Sequence, residues 1–296
     1  MDFFPLLAHS PPLLAGAAIL FGLCIGSFLN VVIYRLPKML EREWRSQCED
    51  FLGGATTGHP DTNATRLPKY NLLVPRSACP ACGHKITALE NVPLASYLVL
   101  KGRCSSCKAK IGIRYPLVEL LAGLLSGYVA WRFGASQAAL SALLFCWALI
   151  ALTFIDADTQ LLPDTITLPL LWFGLMVNTG NTFTDLGSAV WGAVLGYLVL
   201  WLVYWLFRIV TGKEGLGYGD FKLLAALGAW MGWQMLPLII LLSATVGAVI
   251  GLAGIMIAGR EKGARIPFGP YLAAAGFAAL LWGKSLNEWY LGGLAR

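Results

Sequence analysis

Gly217-Tyr218-Gly219-Asp220 stands immediately before an apolar run that begins at Phe221. A carboxylate at the mouth of a membrane segment is costly and by default marks a functional site. The flanking glycines tolerate φ > 0 and, lacking a Cβ, let another backbone come close beside the acid. A second acidic cluster sits at another apolar boundary, Phe154-Ile155-Asp156-Ala157-Asp158, followed by Leu162-Pro163-Asp164. Two carboxylates delivered to one membrane face suggest an acid–base pair.

Composition supports a membrane setting. The chain has 296 residues, 57% of them hydrophobic, with only 13% charged and a mean hydropathy of +0.66. Soluble domains carry about 25% charged residues. The expected fold is therefore an all-α polytopic membrane protein with about eight transmembrane helices and one polar insertion. The net charge of +6 is explained by topology and needs no nucleic acid partner.

The first span is expected at 13–34. No Lys or Arg precedes Arg35, so a secretory leader with a basic start is not expected. The basic residues that follow place the N-terminus outside and the next segment in the cytoplasm. Residues 35–115 form the long polar segment and hold 13 of the 22 Lys and Arg. Seven more apolar segments follow, at 116–131, 138–155, 165–177, 186–210, 221–233, 235–258 and 267–282. Eight spans return both termini to the outside. Cytoplasmic loops then hold Arg208, Lys213, Arg260, Lys262 and Arg265, and outer loops only Arg132, Lys284 and Arg296. The domains read as 1–34, first helix; 35–115, cytoplasmic loop domain; and 116–296, membrane domain. The segments 165–177 and 221–233 fall short of the ~20 residues a span needs. Each follows an acidic cluster, and short or broken helices often flank a recessed site.

Cys79-Pro-Ala-Cys82 and Cys104-Ser-Ser-Cys107 lie in the polar segment. Two such turns complete a tetrahedral zinc shell, closed and hence structural. The alternative is a disulfide pair, rare in a reducing cytosol. His84 reads as a bystander. Cys24 and Cys146 read as packing residues, and Cys48 as a surface thiol.

Asp156 and Asp220 are expected on the same cytoplasmic side. One ionised acid can activate water while its protonated partner donates to a carbonyl oxygen. Interfacial helix capping is the other reading, and Asp164 before Thr165 is placed for it. Asp158 would face elsewhere. Glu119, inside an apolar run, has two open roles, interhelical hydrogen bonding and substrate binding. Gly26-Ser27-Phe28-Leu29-Asn30 reads as close helix packing.

Together these residues resemble the bifunctional prepilin peptidases, membrane aspartic proteases with a GxGD motif. The resemblance runs through Gly26–Asn30 with Tyr34-Arg35-Leu36-Pro37, both cysteine pairs, Tyr115-Pro116 with Glu119, Asp156 with Leu162-Pro163-Asp164, and Gly217–Lys222. It implies cleavage of the basic leader from type IV prepilins and type II secretion pseudopilins, at the cytoplasmic face of the bacterial inner membrane. It implies Asp156 and Asp220 as the catalytic pair; the scissile bond is then expected to unwind at the cytoplasmic boundary near Gly217 and Gly219, which support the substrate site. It also implies methyl transfer from S-adenosylmethionine to the new α-amine, usually of phenylalanine, an activity associated with the cysteine loop. Gly102 is a turn candidate for that chemistry, an ordinary knuckle turn being the alternative. Two rival readings are a proton-coupled transporter and a tethered zinc recognition module. Oligomeric state is left open.

Overall fold

In the computed structural model, residues 10–53, 70–213, 215–258 and 267–294 are described. Arg260, Lys262, Arg265 and Arg296, which entered the charge argument, lie outside them. The chain divides into two compact units, Met1–Trp131 and Arg132–Arg296.

The first unit opens with α1, Pro11–Gly53. Pro11 and Pro12 occupy its first turn, where a missing N–H costs nothing. The helix does not stop at Tyr34, where the sequence suggested a boundary; it continues through Pro37 to Gly53. Glu, Arg, Lys and Gln favour helix, and Arg45 and Gln47 reach back to Glu41 and Glu43. At ~1.5 Å per residue α1 is about 65 Å long, twice the ~30 Å hydrocarbon core. Its charged, exposed C-terminal third therefore extends beyond the apolar span.

After a loop with a 3₁₀ turn (Leu89–Asn91) and a short helix α2 (Ala95–Val99) comes α3, Arg114–Phe133. A glycine seam joins α1 to α3. A Cβ at Gly22 would fall 2.5 Å from Ser126 Oγ, and one at Gly26 would fall 2.6 Å from Glu119 Cα. On the facing helix, a Cβ at Gly123 would meet Leu23 at 2.8 Å. The packing role expected for the Gly26 region is thus realised.

The second unit holds α4 (Gln137–Thr159), α5 (Asp164–Asn178), α6 (Leu186–Thr211), α7 (Tyr218–Met231), α8 (Leu236–Ala258) and α9 (Gly269–Leu294). Ser136 caps α4 and Asp185 caps α6 through side-chain oxygens, satisfying N–H groups with no partner in the helix. Left-handed Gly212 ends α6. At the centre lies α7, buried at every residue from Phe221 to Met231 except half-buried Lys222. It spans only about 21 Å, too short to cross a bilayer unaided. Gly192 of α6 and Gly228 of α7 touch backbone to backbone. Trp230 packs against Phe145 at 4.7 Å and Phe173 and Phe183 at 5.7 Å, and its indole N–H donates to the Leu170 carbonyl at 2.9 Å. Asn178 closes the far end of α7. Its amide donates to Ala229 and Trp230 carbonyls at 2.9 Å, and its oxygen accepts from Phe183 and Thr184.

All eight apolar segments are helical. Among the described residues, four helices are long and apolar enough to cross a membrane, Pro11–Leu52, Gln137–Thr159, Leu186–Thr211 and Trp233–Gly254. On α6, Leu202, Leu206, Ile209 and Val210 are more than 60% exposed. A continuous apolar face of this kind is a liability in water and the ordinary surface of a helix in lipid.

Candidate active site and metal centre

Asp156 lies in the last turn of α4, which ends when Gln160 turns left-handed (φ 54°) and donates to the Asp156 carbonyl. The Asp156 carboxylate is buried, 5% exposed, and its Oδ2 accepts from Gly269 N–H at 3.0 Å. Gly269 is the first residue of α9. Asp220 lies in the first turn of α7, 7% exposed, and its Oδ2 accepts from Gly217 N–H at 3.2 Å. Each acid thus has one oxygen held by a backbone donor at a helix start. The second oxygen of each accepts no hydrogen bond from the described residues.

The two acids come together through Leu162. A Cβ at Gly219 would lie 2.7 Å from Leu162 Cβ, and one at Gly269 would lie 3.2 Å from Leu162 Cδ2. One leucine therefore packs against the neighbour of Asp220 and the partner of Asp156, and the two carboxylates interact electrostatically. Gly219 serves by close approach, whereas a Cβ at Gly217 would make only ordinary contact, 3.7 Å from Asp220 Oδ2. Gly217 has φ −87°, and neither it nor Gly219 is among the residues with positive φ, so the conformational reason expected from sequence does not apply.

Asp164 is not a cap. Pro163 occupies that position without a side-chain bond, and Asp164 instead takes Lys222 Nζ at 2.7 Å on both oxygens. Asp158 is exposed on α4, away from the face of Asp156. Sequence reasoning missed Gly269, Leu162 as the bridge, and the Lys222–Asp164 pair. Pro267-Phe268-Gly269-Pro270, a proline-flanked glycine at a helix start, was the available signal for the first.

In the first unit the Sγ atoms of Cys79, Cys82, Cys104 and Cys107 lie within 4.8 Å of one another. All are free thiols, and Cys79 and Cys107 are 3.8 Å apart, far beyond a disulfide bond of ~2.05 Å. A zinc tetrahedron with Zn–S of ~2.3 Å has S···S edges of about 3.8 Å. The two knuckles repeat one another. Cys79 N–H donates to His84 and Cys104 N–H to Ala109. Bridges Ala78–Lys85 and Arg103–Lys110 flank them. Left-handed Gly83 (φ 72°) and Lys108 (φ 60°) each fall four residues after the first cysteine.

N–H groups of Cys107 and Ser106 bring the Cys104 thiol down to about 6. Cys107 is pushed up to about 11, its Ala109 hydrogen bond outweighed by the crowding of Cys82, burial and the other thiols. Four thiols so close need a cation before all ionise, so the donor set fits a divalent metal. His84 is not a ligand; its Nε2 is 3.3 Å from Glu90. Ser105, then Thr87, hold the Glu90 carboxyl down at about 2, which ties one knuckle to the other.

Glu119 Oε2 accepts from Leu94 N–H at 2.9 Å, fastening the loop to α3. Gly102 does not fit a ligand cradle. It is left-handed (φ 67°), and Tyr97 Oη lies 2.9 Å from where a Cβ would stand. The space is filled, as in an ordinary knuckle turn.

Residues 20–133 match the model of the bacterial peptidase A24 N-terminal domain, and residues 143–252 that of the type IV leader peptidase family. Relatives named prepilin leader peptidase/N-methyltransferase include one from Pseudomonas aeruginosa, 56% identical and covering 98% of both chains. One from Aeromonas hydrophila is 57% identical over 96% of this chain and 97% of its own. One from Burkholderia pseudomallei is 50% identical over 90% of this chain and 84% of its own. No solved structure matches the chain.

Proposed function

The chain belongs to the type IV leader peptidase family, and on that premise we propose that Asp156 and Asp220 are its catalytic pair. The protein is a membrane-embedded prepilin peptidase and N-methyltransferase. Its substrates are type IV prepilins and type II secretion pseudopilins, whose basic leaders are removed at the cytoplasmic face of the inner membrane. The observation that carries the catalytic assignment is two buried, interacting carboxylates, each fixed by one backbone N–H and each keeping one oxygen for reaction.

Two buried carboxylates gathered around Leu162 would share one proton. The ionised acid takes a proton from water, whose oxygen bonds to the scissile carbonyl carbon while the protonated acid donates to the carbonyl oxygen. As the resulting diol collapses, one of its hydroxyls gives its proton to the now ionised acid, the C–N bond breaks, and the departing amine takes the proton held by the other acid, which restores the one shared proton. Leader and mature pilin leave with one water consumed. Burial of both acids keeps the exchange of protons local.

S-adenosylmethionine, when bound, supplies the methyl group for the new α-amine. Cys79, Cys82, Cys104 and Cys107 would hold a structural zinc ion that fixes the cytoplasmic loop at 79–107. Eight spans at the apolar segments would put both termini in the periplasm, with residues 116–296 as the peptidase domain, a reading supported by the excess of Lys and Arg in the cytoplasmic loops.

Mass spectrometry of a prepilin incubated with the detergent-solubilised protein tests this. Leader loss without the cofactor, and an added methyl only with it, is the expected result. An uncut prepilin with folded protein contradicts it.

A further inference from the structure

We propose that Gly269 is a positioning residue of the peptidase centre, so that the first turn of α9 is the third arm holding the catalytic acids. The inference rests on the assignment of Asp156 above and goes beyond it, since α9 lies past residue 252, where the family match ends.

The first N–H groups of a helix have no acceptor within it. For Gly269 the acceptor is Asp156 Oδ2, at 3.0 Å, buried, and 113 positions away in the chain. The carboxylate is thereby fixed at the positive end of a long helix, with its other oxygen left for water. Gly269 must also lack a side chain. A Cβ there would stand 2.7 Å from Asp156 Oδ2 and 3.0 Å from its Cγ, so the carboxylate would have to move. Backbone conformation does not explain the glycine, because Gly269 is not among the residues with positive φ. Nor does helix formation, since alanine is the better helix former. What the glycine serves is the position of Asp156.

The test uses full-length Gly269→Ala in detergent, with kcat and KM for prepilin cleavage measured separately. A small misplacement of a reacting group costs on the order of 10–100-fold in rate, so kcat should fall by that factor. KM should stay within about twofold, and the thermal midpoint should match or exceed wild type. Wild-type kcat, or a loss of kcat matched by a loss of midpoint, overturns the proposal. If Gly269→Ala does not accumulate, amide exchange in Asp156→Ala decides. Loss of the acceptor should speed exchange at Gly269 by on the order of tenfold with later turns of α9 unchanged; unchanged exchange at Gly269 overturns it. Asp156→Asn separates the two claims. A cleaving Asp156→Asn protein defeats the catalytic assignment, and the positioning role with it. An inactive one beside a fully active Gly269→Ala protein defeats the positioning role alone.

Discussion

Lys222 Nζ lies 2.7 Å from both carboxylate oxygens of Asp164, joining the start of α7 to the first turn of α5. The pair spans the turn at 160–163 that carries Leu162, and Lys222 follows Asp220 by two residues. It is a rim contact, with the two side chains 30% and 52% exposed, so its worth to stability is at most about 1 kcal/mol. Its worth to the site is geometric, because it fixes the helix bearing one acid against the turn that follows the other.

Lys222→Ala should therefore slow leader cleavage by roughly 3–10-fold while leaving the thermal midpoint nearly unchanged. The exchanged pair Asp164→Lys with Lys222→Asp should recover part of the rate. Full activity in Lys222→Ala, measured under single-turnover conditions, would remove the pair from the account.

Asn178→Ala should weaken the second unit. The side chain is fully buried and uses its amide to bind the end of α7 and its oxygen to bind the loop that follows α5. Removing it leaves buried carbonyl and N–H groups without partners, at about 2 kcal/mol, a fall of roughly 5 °C in a domain of this size. Thermal unfolding in detergent checks this, and an unchanged midpoint would contradict it.

Metal analysis of the purified protein should find one zinc ion per chain. Cys104→Ser should abolish it, because Cys104 is the buried member of the four and three remaining thiols leave the shell open. Limited proteolysis should then cut within 79–107 where the wild-type protein resists. Retained zinc in Cys104→Ser would rule out the four-cysteine site.

The helices, the position of each acid at a helix end and the cysteine cluster were legible because their signals are local. An apolar run reads as a helix, and two Cys-x-x-Cys turns read as a tetrahedral site. The extension of α1 was not legible, since Pro37 and the charges after it resemble the end of a span. Yet Glu41, Arg42, Glu43 and Arg45 are sound helix residues, and one proline does not end a helix of this length. Gly269 and Asp156 pair across 113 positions, and Lys222 and Asp164 across 58. Such contacts are fixed by how α4, α5, α7 and α9 pack, which no local pattern records. Asp164 misled for the same reason. Before Thr165 it reads as a cap, and only the fold brings Lys222 to it.

The most direct test of the catalytic pair is single-turnover cleavage of a prepilin by Asp156→Asn and Asp220→Asn proteins, each shown to reach the membrane in wild-type amount. Asparagine keeps the shape of each side chain and can still accept from Gly269 or Gly217, but it supplies no ionisable oxygen. Both variants should lose cleavage by at least about 10³-fold. Near-wild-type cleavage by either one would mean that its aspartate does not carry the reaction.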